Sequence, residues 1–77
     1  MIFTADLEII CETKRQKELV LQKIENETNL VWRATSRKPT QFIPYHSDVI
    51  YIGYDYITCG SSKEGLKEKR IKAEQII

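Results

Sequence analysis

Apolar and polar residues alternate along the first eleven positions. Phe3, Ala5, Leu7, Ile9 and Cys11 occupy one phase, and Thr4, Asp6 and Glu8 the other. Period two over this length predicts a strand from Ile2 to Cys11 with one buried face. Ile10 interrupts the polar phase, so the strand's end is expected to be covered on both sides. The period then changes. Thr13-Lys14-Arg15-Gln16 has capping-box spacing, and the helix it opens is predicted to run from Lys14 to about Glu27. Val20, Leu21 and Ile24 form its inner stripe with Leu19 on the flank. Lys14, Arg15, Lys17, Glu18, Gln22, Lys23 and Glu25 make up a solvated face. Asn26 and Asn29 bracket the expected stop, because Asn tolerates the left-handed conformation that ends helices.

Alternation returns at Leu30 to Thr35 and breaks at Ser36-Arg37-Lys38-Pro39, a turn. Thr40 to Ile43 reads as a short returning strand, confined to a sheet edge by Pro44. Val49 to Cys59 is the most β-prone stretch, either one long strand or a hairpin folded at Gly53-Tyr54-Asp55. Ser61 and Glu64 repeat the capping spacing, and a last helix is expected from Lys63 to about Gln75. Its stripe of Leu66, Ala73 and Ile77 is interrupted by Arg70. The order β-α-β-(β)-β-α implies an α+β fold. The expected form is a small two-layer sandwich, a mostly antiparallel sheet with two helices on one face, in a single compact domain spanning 1–77.

Size limits what this domain can hide. A chain of 77 residues buries only about 60% of the surface its unfolded form exposes. Apolar residues at 42% and charged residues at 30% exclude collagen-like and strongly disordered classes. A net charge of +1 makes the chain neither a polycation nor an acidic mimic of nucleic acid. No apolar run reaches the 18 or more residues of a membrane span, and acids appear early at the N-terminus, so a cytoplasmic chain without a membrane partner is expected. Cys11 and Cys59 are too few for a disulfide framework.

Candidate chemistry is sparse. The lone His46 sits in a turn-like Pro44-Tyr45-His46-Ser47-Asp48 segment, with no nucleophile elbow, metal-ligand spacing or phosphate loop near it. Cys11 falls on the apolar phase of its strand, as a packing thiol does. The sequence thus predicts no catalytic residue, no metal and no cofactor. Aromatics are another matter. Phe42, Tyr45, Tyr51, Tyr54 and Tyr56 crowd into fifteen residues, more than a thin core hides. Tyr is enriched where proteins meet partners, so these five are the first candidate contact surface.

Charge supplies a second candidate. Residues 13–38 hold seven Lys and Arg against three Glu, ending in Arg33, Arg37 and Lys38. Basic residues beside aromatics outline a nucleic-acid surface. The segment Gly60-Ser61-Ser62-Lys63-Glu64-Gly65-Leu66-Lys67 resembles the turn into the last helix of double-stranded-RNA-binding domains. In that family Ser-Lys-Lys and a following Lys reach phosphates across a groove. The helix, three strands, helix order predicted from Lys14 resembles that family as well. The likeness implies phosphate contacts from Lys63 and Lys67. Glu64 stands where the family has its second Lys, and Arg70 and Ile71 replace small Ala residues.

Two expectations follow. The first is a non-catalytic protein-binding module, of the kind found among small inhibitors and adaptors of phages and mobile elements. It would use the Tyr-rich strand and a sheet edge near Pro44. The second is nucleic-acid binding through Arg33, Arg37, Lys38, Lys63 and Lys67. A homodimer is compatible with both, since an aromatic sheet edge can pair with its own copy.

Overall fold

One helix lies across one face of a five-stranded mixed sheet in the computed structural model, which describes residues 3–60 and 69–77. The order is β1 (Leu7–Ile10), α1 (Lys14–Glu27), β2 (Val31–Trp32), a 3₁₀ turn (Pro39–Gln41), β3 (Val49–Ile52), β4 (Tyr56–Gly60), β5 (Lys69–Lys72) and a second 3₁₀ turn (Ala73–Gln75). In space the strands run β2-β4-β3-β1-β5. β3 pairs antiparallel with both β1 and β4, whereas β5 runs parallel to β1 and β2 parallel to β4. The α+β class expected from the sequence is present. The mostly antiparallel sheet and the pair of helices are not: the sheet is mixed, and the described residues contain one α-helix. That helix is not long and apolar enough to cross a membrane.

α1 begins where its cap predicts. Thr13 is extended at φ −130°, and its hydroxyl accepts from the Gln16 N–H at 3.1 Å. The Gln16 carboxamide accepts in turn from Glu12 N–H at 2.6 Å, so a second backbone donor is satisfied before the first turn. The end is set by Thr28 rather than by an Asn: its N–H and its hydroxyl both reach the Ile24 carbonyl, at 2.9 and 2.7 Å. Val20, Leu21 and Ile24 are wholly buried against Leu7, Ile9, Ile50, Ile52 and Ile57 of the sheet. Lys17 belongs to the same stripe, not to the solvated face. It is 8% exposed because its ammonium donates to the Tyr45 carbonyl at 3.0 Å, which compensates for its burial.

The first strand is shorter than its alternation. Leu7 N–H donates to the Thr4 carbonyl, and Asp6 takes the left-handed φ of 70°, so a tight turn precedes β1. The turn throws Ala5 out to solvent while Phe3 stays in the core. Val49 to Cys59 is the hairpin form, closed by Gly53 N–H on the Tyr56 carbonyl at 2.7 Å. Both of its glycines lie under tyrosine rings. A Cβ at Gly53 would run into the Tyr56 ring, and one at Gly60 would come within 2.7 Å of Tyr51. Thr40 to Ile43 is not a strand: Pro39–Gln41 makes a 3₁₀ turn and Pro44 is buried in a loop, so no sheet edge forms there. Thr40 donates to Glu25 from both its N–H and its hydroxyl, fastening this turn to α1.

The largest departure is at the C-terminal end. Residues 69–75 were expected to be helical and instead form β5 and a 3₁₀ turn, while the proposed start of that helix lies outside the described residues. Among the described residues the chain therefore ends in β5 and a 3₁₀ turn, where the order of double-stranded-RNA-binding domains has the body of its last helix. The physical reason lies in one row across the sheet, where β-register aligns Arg70, Glu8, Tyr51 and Thr58. Glu8 is fully buried, and its Oε2 accepts from Arg70 Nε at 2.9 Å and Nη2 at 2.8 Å. Its Oε1 meets no hydrogen-bond donor among the described residues. A buried carboxylate is tolerated only with its counter-charge, and a strand places Arg70 directly opposite it.

Breaking such a pair from one side leaves an uncompensated charge. Arg70→Met is expected to lower unfolding free energy in urea by about 3 kcal/mol. Glu8→Leu combined with Arg70→Leu should recover most of that loss. A single variant within about 0.5 kcal/mol of the parent chain, the range of an ordinary surface change, would contradict this.

Candidate ligand pocket at the sheet edge

β2 is two residues long because the chain turns away at once. Trp32 donates its N–H to the Arg37 carbonyl at 2.9 Å, and its own carbonyl accepts from Ser36 N–H at 2.7 Å. Closing this loop puts Ser36 in the left-handed region at φ 59°. The last rung to the sheet is Arg33 N–H on the Ile57 carbonyl at 3.1 Å. β4 continues past that point to Gly60 without β2 beside it. Backbone groups in a strand alternate sides, so Cys59 turns its N–H and C=O the same way as Ile57, toward the missing neighbour. No hydrogen bond from the described residues reaches either group.

A pocket of about 370 Å³ opens beside this bare stretch of edge. Trp32 forms its inner wall. The indole is 5% exposed and donates to the Pro39 carbonyl at 3.0 Å, which fixes the ring. Phe42 stands edge-on to it, centroids 5.3 Å apart and planes at 86°, a favoured aromatic geometry. Ile57 and Cys59 supply the sheet side, and Arg33 and Arg37 the rim. The lining is mainly apolar and, among the described residues, contains no carboxylate and no histidine. Its size lies at the lower end of small-ligand sites and suits one or two inserted side chains. The depressions beside Tyr45 and beside Tyr54 are more open and more polar.

The rim arginines lack the acidic partner that several other described cations have. Arg15 pairs with Glu18, Lys23 with Glu27, Lys72 with Glu12 and Arg70 with Glu8, and Lys17 donates to a carbonyl. Arg33 instead lies 5.1 Å over the Tyr56 ring, and neither it nor Arg37 meets a carboxylate among the described residues. The nearby Glu25 is occupied by Thr40. Those two hydrogen bonds, helped by Lys38, hold its carboxyl below the usual carboxylate range.

The sequence-predicted residues are thus redistributed. Phe42, from the aromatic set, joins Arg33 and Arg37, from the basic set, around one pocket. Lys38 follows at the start of the 3₁₀ turn, its N–H on the Gln41 carboxamide at 2.9 Å. The four tyrosines do not gather with Phe42. Tyr45 lies under the Lys14 ammonium, 5.0 Å from its ring centroid. Tyr51 and Tyr56 cover glycines, and Tyr54 stands 92% exposed at the hairpin tip. Lys63 and Lys67 lie outside the described residues. Trp32, Ile57 and Cys59 are pocket walls that sequence reasoning did not single out as such. A lone Trp on the apolar phase beside a turn rich in Arg was the available signal.

No protein family, curated protein or solved structure matches this chain. Among the described residues no group of three or more His, Cys, Asp or Glu is placed to hold a metal ion. His46 is exposed in its loop. Neither cysteine is in a disulfide. Cys11 is buried, and desolvation pushes its thiol up to about 11 against the lowering influence of Lys17. It is therefore a packed, protonated thiol at neutral pH, whereas Cys59 is only half-buried on the pocket wall.

The loop that shapes the pocket is strained at one residue. Ser36→Val, which forces a β-branched side chain into the left-handed region, is expected to cost about 1–2 kcal/mol in urea unfolding. Ser36→Asn should stay within about 0.5 kcal/mol of the parent chain. Equal effects of the two would show that the backbone conformation at Ser36 carries no strain.

The thiols give a second check. Cys59 is expected to react first with a thiol-specific reagent, and Cys11 only as the chain unfolds. A folded thiol whose pKa lies above its unfolded value near 8.5 binds its proton more tightly in the fold. Its contribution to stability is intact below that unfolded value and is lost as pH rises towards about 11. Stability measured from pH 8 to 11 should fall more steeply in the parent chain than in Cys11→Ala. Parallel curves would remove Cys11 as the source.

Proposed function

We propose that this chain is a non-catalytic binding module that takes up a protein partner at the β2–β4 edge. The partner's apolar side chain enters the pocket between Trp32 and Phe42. One observation carries the reading: an apolar pocket opens directly beside strand backbone that no described residue pairs with. Adding a strand at an open edge supplies main-chain hydrogen bonds, and adjacent pockets supply specificity. Burying one Leu- or Phe-sized side chain adds about 1.5–3 kcal/mol. An apolar wall with a cationic rim suits the seating of a side chain, as in an inhibitor or adaptor. Phe42 is the member of the aromatic set that serves this contact.

A second reading is favoured by the positive charge at the rim, where Arg33 and Arg37 meet no carboxylate of the described residues: nucleic-acid binding through Arg33, Arg37 and Lys38. It requires affinity that falls steeply with salt in proportion to phosphates contacted.

Selection of random displayed peptides on the immobilised chain, followed by amide chemical-shift mapping, tests the main reading. Selected peptides are expected to perturb residues 32–37, 42 and 57–59. Phe42→Ala should weaken them about tenfold, in line with loss of one buried ring, while the far-ultraviolet circular dichroism stays unchanged. Perturbations confined to another surface, or an unaltered affinity of Phe42→Ala, would overturn it.

A further inference from the structure

The pocket, the bare backbone and the two arginines lie in a pattern that specifies the partner's chemistry. Trp32, Ile57 and Cys59 lie on the helix-facing side of the sheet, with the core. Arg33 lies over Tyr56, which is one residue out of phase with Ile57 and so belongs to the opposite side. A strand laid alongside Cys59 sends successive side chains to those two sides in turn. Its inward residue meets the apolar pocket, and the residue next to it meets the Arg33 side of the rim.

We propose, resting on the binding reading above, that the site recognises an extended acidic segment of a partner protein. In that segment an apolar residue alternates with Asp or Glu. The apolar side chain fills the space between Trp32 and Phe42. The carboxylate takes the guanidinium groups of Arg33 and Arg37, which no acid of the described residues neutralises. The segment's backbone pairs with the N–H and C=O of Cys59. Guanidinium and carboxylate match in fork geometry, and the pair is strengthened where an apolar wall excludes water. A peptide also answers the donor and acceptor of Cys59, which no described residue pairs, together. A phosphodiester, which only accepts, answers just the donor.

The probe is an acetylated, amidated peptide with a central isoleucine–glutamate–isoleucine–glutamate run between serines. Trp32, the one tryptophan in the chain, reports binding by fluorescence, and the Cys59 amide reports strand pairing by NMR. Saturable binding is expected, at least tenfold tighter than that of the glutamine version of the peptide. N-methylation of the backbone amide facing Cys59 should weaken it by a similar factor. The double variant Arg33→Gln and Arg37→Gln, both at exposed positions, should abolish the preference for glutamate over glutamine while leaving the thermal melt in place. Equal affinity of the two peptides would overturn the acidic specificity and leave the pocket reading standing. Failure of these peptides and of library-selected peptides to move the pocket amides would overturn both. Tighter, salt-steep binding of a single-stranded oligonucleotide at the same amides would overturn it in favour of nucleic acid.

Discussion

A carboxylate sealed from water dictates how this small sheet is assembled. Glu8 falls on the face of β1 that the helix does not cover, yet it has no exposure at all. An ion held there needs its counter-ion at hydrogen-bond distance. The chain supplies it from sixty-two residues away, through both nitrogens that Arg70 directs at Oε2. That demand aligns β5 with β1 residue for residue, Glu8 opposite Arg70. Parallel pairing then puts Ile71 beside Ile9 on the core side and leads directly to Ala73, which is fully buried. The ion pair is better read as a register pin than as a source of net stability, since desolvation offsets much of its attraction.

This pin also explains which parts of the fold were legible beforehand. α1 was readable to the residue because its determinants are local: the Thr13 cap, the Val20, Leu21 and Ile24 stripe, and good helix formers between. The hairpin at Gly53 was one of two readings of its stretch, since turn chemistry at Gly53-Tyr54-Asp55 competes with an unbroken β-prone run. β5 was not, because Lys69 to Gln75 scores well as a helix on its own and only a distant partner favours the strand. Arg70 in the middle of the supposed apolar stripe was the visible sign of conflict. Tertiary pairing overrode propensity there, as it did at Lys17, whose helical position is buried by a carbonyl twenty-eight residues on. Asp6 and Ser36, both left-handed without being glycine, ended strands that alternation alone would have prolonged.

The candidate site was legible only in pieces. Density of aromatic residues and clustering of positive charge each marked part of it, and each also marked residues that end elsewhere. The tyrosines are the clearest case. Tyr51 and Tyr56 spend their rings covering Gly60 and Gly53, positions where any side chain would collide with them. Phe42 differs because Trp32 pins the loop on which it stands. The indole's hydrogen bond to Pro39 draws residues 33–42 back over the sheet edge, and so brings Phe42 within reach of β4. No sequence spacing encodes that arrangement, since it depends on one buried N–H finding one carbonyl.

The two edges of the sheet are handled in opposite ways, and the contrast bears on what the open one can do. β5 presents Arg70 and Lys72 along its length, and charged side chains on an edge discourage further strands. At the other edge β2 covers β4 for two residues and then leaves. What remains unpaired among the described residues is the donor and acceptor of a single residue, Cys59. One residue of free backbone is too little to template an extended sheet, so the opening carries little risk of uncontrolled self-assembly. It is enough to fix the register of an incoming strand, provided that side chains supply the remaining binding energy. The pocket and the two arginines line the same opening as Cys59. In the proposed complex, affinity therefore comes from the apolar insertion and orientation from the backbone. Choice among partners comes from charge, a division that keeps each contribution separately removable by substitution.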